Sequence, residues 1–308
     1  MKVIVLGSAA GGGFPQWNCN CPNCDGLRKG TIQARARTQS SIAVSANGTD
    51  WVLINASPDI LAQIRATPAL QPARSVRDTG IAAVMLMDAQ IDHITGLLML
   101  REGKPIPLYC TAPVWQDLSN GLPLAKVLAH YCGVEWRPLD AHDDDAYGPA
   151  IQVAGIAGIS FTALALKSKA PPYSPHRAMP EAGDNIGLLI ENQANGKKLF
   201  YAPGLGRIEA HIDAAMRMAD CVLVDGTLWT DDEMIRLGLS RKTSADMGHL
   251  PQSGPGGMIE VLDALGPRRK ILIHINNSNP ILDESSEEAA VLKRHGIELA
   301  FDGMEISL

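Results

Sequence analysis

The sequence predicts an α/β chain in which two mixed β-sheets pack together with helices on the outside. Three observations carry that expectation. Short apolar, β-rich runs recur along the chain, and segments of helical length separate several of them. The first half runs strand, hairpin, helix, strand, helix, strand, helix, and the second half echoes that order. Two mixed sheets account for this better than a strictly alternating βαβ sheet. The 308 residues, 46% hydrophobic and 19% charged, are ample for a core. No shift in composition marks a linker, so a single domain over residues 1–308 is expected.

Strands are expected at 3–6, 41–44, 51–54, 82–87 and 106–109. The pattern returns at 159–166, 186–190, 199–201, 221–224 and 271–275. Helices are expected at 58–65, 93–101, 114–119, 207–218, 256–265 and 284–294. Pro58 suits a first helical turn, where its missing N–H would have been unpaired anyway. Pro171, Pro172, Pro175 and Pro180 mark an irregular loop, because proline cannot donate to a sheet ladder. The acidic run from Asp143 to Asp145 reads as a solvated loop rather than a metal cage.

Several function classes drop out. A net charge of −6 and the lack of a long basic run argue against charge-driven binding of nucleic acid. Six cysteines in a chain of this length do not make a secreted disulfide scaffold. The first strand starts almost at Met1, which leaves no room for a signal peptide. No apolar run approaches the ~20 residues needed to cross a bilayer. A cytoplasmic protein without membrane insertion is expected.

Two constellations carry chemistry. Cys19, Cys21 and Cys24 have C-x-C-x-x-C spacing, and thiolates two to three residues apart in a tight turn can converge on one zinc. Three thiolates leave one tetrahedral position open. A distant residue there makes the site a staple, and water there makes it catalytic. Gly11, Gly12 and Gly13 only approximate a dinucleotide fingerprint and read instead as a flexible lead into this turn. Cys110, Cys132 and Cys221 sit singly in apolar surroundings and are expected to be inert. In the second constellation, the strand at 82–87 runs into Asp88, Ala89, Gln90, Ile91, Asp92 and His93. Asp and His side by side at a strand-to-helix junction can aim both side chains at one point beyond the sheet edge.

That segment resembles the H-x-H-x-D-H motif of the metallo-β-lactamase superfamily, with Asp88 and Gln90 in place of its first two histidines. Asn55 to Asp59 is similar to the family's early loop, and the strand ending in His274 to its last ligand histidine. Gly248-His249 resembles the extra histidine of the ribonuclease Z and phosphonate-pathway phosphodiesterase branch, whose phosphodiesterase also carries an N-terminal cysteine zinc. The stretch from Val3 to Cys19, the run from Asp88 to His93 and the run from His274 to Asn277 together resemble a family of pyrroloquinoline quinone (PQQ) biosynthesis proteins. The resemblance spans essentially the whole chain and implies a metallo-β-lactamase-like αββα sandwich.

The departures from the superfamily pattern shape the expected chemistry. A hydrolase of this superfamily usually needs two zinc ions, and Asp88 and Gln90 dismantle one site. The middle histidine is not evident near Ala165 to Lys169, and Ala202-Pro203-Gly204 replaces the bridging aspartate. Asp92, His93 and His274 survive, two histidines and a carboxylate of the kind that non-haem iron oxygenases use. Asp88 is the alternative carboxylate. The resemblance implies an Fe²⁺- and O₂-dependent hydroxylase of the tyrosine ring in a cross-linked glutamate–tyrosine intermediate. Two alternatives are a carrier of PQQ or its precursor to the periplasm, and a phosphodiesterase-like hydrolase. Asp88, Gln90 and His249 are the candidate catalytic side chains beside the metal. With a second centre for chemistry, the cysteine loop, about residues 11–30, reads as a structural Zn²⁺ site; the resemblance to the phosphodiesterase implies Asn277 at the fourth position, where it, a neighbour or water completes the tetrahedron. Implied partners are a small acidic peptide-derived substrate or PQQ, and other proteins of that pathway; an oligomer is left open.

Overall fold

The computed structural model describes residues 1–142 and 147–308; the acidic run expected as a loop at 143–145 lies outside them. Strands β1 (Lys2–Gly7), β2 (Ser41–Ser45), β3 (Trp51–Ile54), β4 (Ile81–Met85), β5 (Ile106–Cys110) and β6 (Val134–Pro138) belong to the first sheet. Strands β7 (Ile159–Ala165), β8 (Ile186–Asn192), β9 (Lys198–Ala202), β10 (Cys221–Asp225), β11 (Arg269–Ile273) and β12 (Ile297–Leu299) form the second. The last strand, β13 (Glu305–Ser307), returns to the first sheet and pairs antiparallel with β1, Val3 opposite Ile306.

The two sheets are built alike. The run β1–β2–β3 is antiparallel and β3–β4–β5–β6 parallel. Likewise β7–β8–β9 is antiparallel and β9–β10–β11–β12 parallel. Successive side chains of a strand face opposite sides, so a strand buried on both faces reads as an unbroken apolar run. Val3 and Val5 of β1 face inward and meet Phe161, Leu188 and Leu223 of the other sheet. Ile4 and Leu6 face outward into a separate cluster. In β10, Leu223 is inward while Val222 and Val224 are outward.

Helices cover both outer faces. Ile60 of α2 (Ile60–Ala66) and Ile94 of α3 (Ile91–Ile94) pack on the first sheet, after α1 (Pro22–Lys29) in the cysteine segment. Val114 of α4 (Ala112–Gln116) and Leu124 of α5 (Leu124–Leu128) complete that layer. The second sheet is covered by Ile212 and Met216 of α6 (Ala210–Met218). Beyond the short α7 (Glu233–Arg236) and α8 (Ser244–Met247), Met258 of α9 (Met258–Asp263) and Leu292 of α10 (Glu287–Arg294) join the same cluster. Four layers, αββα, result.

The expected helix at 93–101 is α3 followed by a 3₁₀ segment, Thr95–Leu100. That at 114–119 is α4 running into a single π turn, Asp117–Gly121. Pro58 lies in the turn ahead of α2 rather than in its first turn, with Asp59 as the N-cap. The glycine stretch is held rather than loose: Ala9 bridges to Gln39 and Ile275, and the Gly12 N–H donates to Gln39 Oε1 at 2.9 Å.

One glycine decides how α3 is seated. A Cβ on Gly96 would stand 2.1 Å from the Ser57 carbonyl oxygen, and the Gly96 N–H donates to Ala56 O at 2.9 Å. The Ala56 N–H in turn donates to His93 O at 2.7 Å. Gly96→Ala must therefore push α3 off this loop. We expect a loss of about 1–3 kcal/mol in urea unfolding, the usual cost of overpacking; an unchanged midpoint would refute the close approach.

Candidate metal centre

Two strands of opposite sheets deliver the centre. Beyond β4 the chain passes through Asp88 and Gln90 into α3, which carries Asp92 and His93. Beyond β11 the next residue, His274, adopts φ 61°, a left-handed conformation uncommon outside glycine. Hydrogen bonds on either side of that kink hold it: Gly226 N to Ile273 O at 2.7 Å before it, and Ile275 N to Ser8 O and Ala10 N to Ile275 O, both 2.9 Å, after it. One ligand atom each from Asp92, His93 and His274 lies within 4.8 Å of the others. Asp92 Oδ2 is 3.3 Å from His274 Nε2 and 3.8 Å from His93 Nε2.

The tautomer of His93 follows from its partner. Its Nδ1 lies 2.8 Å from Asp88 Oδ1 and 2.9 Å from Oδ2, so it is the N–H that donates. The other nitrogen, Nε2, is then a lone pair, buried and without a hydrogen-bond partner. A buried orphan nitrogen facing a carboxylate and a second imidazole fits a metal ion, with Asp88 as the carboxylate that orients the ligand. Without a cation, desolvation opposes a charge on His93, but Asp88 and Asp92 outweigh it and raise its pKa to about 9. Desolvation likewise opposes ionisation of Asp92, yet His93 and then His274 hold its carboxyl well below the usual range.

The second sheet orients its histidines in the same manner. Asp225 ends β10 and is fully buried. Its Oδ1 accepts from the Thr227 hydroxyl at 2.6 Å and its Oδ2 from His249 Nδ1 at 2.6 Å. Thr227 Oγ1 lies 2.9 Å from His274 Nδ1. With the hydroxyl proton given to Asp225, the oxygen accepts from His274, and Nε2 of that ring is left for the metal position. Burial opposes a charge on His249, but Asp225 raises its pKa; burial also opposes ionisation of Asp225, which His249 keeps low. The rings of His249 and His274 stack at 5.4 Å.

The expected site residues thus separate into layers. Asp92, His93 and His274 converge, and His249 lies beside them. Asp88 stands behind His93. Gln90 caps Asp88 through its backbone N–H at 2.8 Å, and its side chain reaches Lys169 O at 3.4 Å. Gly204, in place of a bridging aspartate, faces His249, with a Cβ position 3.9 Å from Cε1. Asp225 and Thr227 escaped sequence reasoning. The available signal was a carboxylate at the carboxyl end of an apolar strand, directly after the expected boundary at Val224.

The cysteine trio is a second donor set. The sulfurs of Cys19, Cys21 and Cys24 all lie within 4.8 Å of one another. The Asn277 side-chain amide approaches them at 3.1, 3.5 and 3.4 Å, at the vertex a fourth ligand would take. Turning the amide over presents its oxygen at that vertex instead. Asn23 donates to Asn277 O and Asn279 O at 3.1 and 2.8 Å, tying α1 to the segment beyond β11. Burial pushes the Cys21 thiol up to about 12, whereas at Cys19 burial is outweighed by hydrogen bonds from Cys21, Cys24 and Asn277, which lower it. Soft thiolates at this spacing fit Zn²⁺. By contrast, Cys110, Cys132 and Cys221 are buried apart from one another, and burial pushes Cys221 up to about 12.

Known proteins place this architecture. The β-lactamase superfamily domain matches residues 50–275. Coenzyme PQQ synthesis protein B of Azoarcus sp. (strain BH72) is 64% identical over 310 residues, covering 100% of both chains. The crystal structure of Zn²⁺-bound PqqB from Methylobacterium extorquens aligns over 100% of both chains with a TM-score of 0.88 and 38% identity. A diphosphatase of the PhnP family, 18% identical, shares the fold with a TM-score of 0.66 over 99% of this chain and 96% of that one. With a superfamily domain across most of its length and full-length identity to these proteins, the chain belongs to the PqqB family of the β-lactamase superfamily.

Proposed function

We propose that this chain serves PQQ biosynthesis as an O₂-dependent hydroxylase of the tyrosine ring in the cross-linked glutamate–tyrosine intermediate. Fe²⁺ would be held by Asp92, His93 and His274, and Zn²⁺ by the cysteines with Asn277. One observation carries the reading: the buried, unpartnered His93 Nε2 faces Asp92 and His274. The places where a two-metal hydrolase needs further ligands hold an aspartate turned behind His93, a glutamine and a glycine. Two histidines and one carboxylate leave open positions, and iron there would supply the redox chemistry for activating O₂.

The chain's own residues handle the rest. Asp88 and the Asp225–Thr227 pair hold His93 and His274 in the tautomers that keep both Nε2 atoms free of protons. Asp225 fixes Nδ1–H of His249, so Nε2 is the atom that exchanges a proton with substrate. Two lysines of the loop after β7 are engaged within the chain: Lys167 pairs with Glu209 at 3.0 Å and Lys169 donates to Asp246 O at 2.7 Å.

Product analysis with Fe²⁺-loaded protein, the intermediate, O₂ and a two-electron reductant, which takes the second oxygen atom to water, tests the assignment. Hydroxylated product should form with matched O₂ uptake, and His93→Ala should abolish both. Equal turnover by the two proteins removes the iron site. Conversion without O₂ would make the chain a hydrolase, and tight product binding without turnover a carrier. Asp88→Asn keeps the shape but weakens the acceptor behind His93, so Fe²⁺ affinity should fall about 10–100-fold. An unchanged Kd in a chelator competition would refute that role. Cys21→Ser should release the zinc and lower the melting temperature; unchanged zinc content and melting would exclude the staple.

A further inference from the structure

The loop joining β7 to β8, residues 166–185, is the proline-rich stretch, and the chemistry above leaves its ionisable side chains unused. His176 and Asp184 lie on it, and Asp117 opens the π turn after α4. All three are buried, at 7%, 3% and 1% exposure. His176 Nδ1 is 2.9 Å from Asp184 Oδ1, and its Nε2 is 3.7 Å from Asp117 Oδ1. The first contact has the length of a hydrogen bond but is off-line, and the second is too long for one, so both ring nitrogens and Oδ1 of each aspartate are buried without a well-aligned partner. The second oxygen of Asp184 is occupied, accepting from the Glu181 N–H at 2.7 Å. Oδ1 is therefore the atom left facing the imidazole.

A protonated imidazole bridging two carboxylates would point an N–H straight at each. Here four orphaned polar atoms converge off-line. Buried polar groups left this way are costly, and two carboxylates on one imidazole leave negative charge uncompensated. A cation there would take one oxygen from each carboxylate and one of the two ring nitrogens, and would balance the carboxylate charge. One ligand atom from each of the three residues falls within 4.8 Å of the others, which suits bonds of about 2.0–2.2 Å to one ion. We propose that Asp117, His176 and Asp184 form a further divalent-cation site, of the Zn²⁺ or Mn²⁺ class, that clips the 166–185 loop to the turn after α4.

The clip reaches the catalytic side of the molecule through backbone contacts. Tyr173, on the loop, donates to Ala89 O, between Asp88 and Gln90. Asn185, next to Asp184, bridges to Asp88, and the Ile186 N–H donates to Met87 O at 2.9 Å. A loop held at Asp117 is thus also held over the segment that carries Asp88. The site is separate from Asp92, His93 and His274, so it stands or falls independently of the proposed reaction.

The test uses full-length protein stripped with chelator and reloaded with Zn²⁺ or with Mn²⁺. Anomalous difference maps of reloaded crystals should show an ion among the three side chains. His176→Gln and Asp184→Asn should each bind one equivalent fewer than wild type while retaining the ions at the other centres. With free metal about 100 times its Kd, hydrogen exchange limited by loop opening should slow about 100-fold in wild type. In either variant it should not respond. Absence of anomalous density with both metals in wild type overturns the proposal without reference to the variants. Equal metal equivalents in wild type and a folded variant overturn it as well.

Discussion

The metal centre depends first on a buried carboxylate held against an imidazole, Asp88 on Nδ1 of His93. That contact decides which nitrogen carries the proton, and so which one is available to an ion. The second sheet repeats the device with one extra link: Asp225 acts on His274 through the Thr227 hydroxyl and on His249 directly. In both halves an orienting aspartate lies at or just beyond the carboxyl end of a parallel strand, β4 or β10. The inner apolar layer sets the two sheets face to face, and that stacking lets two such arrangements meet. The centre is therefore a property of the sheet pair, with each sheet contributing imidazoles whose tautomers are already chosen.

Strands buried on both faces could be read from sequence because nothing polar interrupts them; β10, Cys-Val-Leu-Val-Asp, is an example. Of the four edge strands, only β7 could. In β6, Glu135 and Arg137 break the apolar run, while β12 and β13 are only three residues each. Such short, charged edges resist further pairing, which is useful to the fold and obscures the pattern. Helix boundaries failed where backbone contact overrode propensity. Gly96 lets α3 press onto the 55–57 loop, and the chain continues as a 3₁₀ segment.

Residue types at the site were easier to foresee than their roles. Asp88 occupies a position where the superfamily pattern has a histidine, which marks it as chemical. Only the fold shows it turned behind His93. Asp225 was hidden by a boundary placed one residue early. The Asp117–His176–Asp184 group had no local signature at all, since its members lie on the exit of a short helix and at two points of an irregular loop. The cysteine trio was legible because its three sulfur donors fall within six residues. The approach of the Asn277 amide to those sulfurs depends on contacts formed across more than 250 residues of chain.

The return of β13 to β1 has a consequence for biogenesis. β1 is synthesised about 300 residues ahead of its outer partner. At about 5–20 residues per second, β1 waits roughly 15–60 s with one hydrogen-bonding edge unpaired. The first sheet is closed only once β13 has emerged, so a ribosome stalled ahead of it leaves an open edge that a neighbouring nascent chain can occupy.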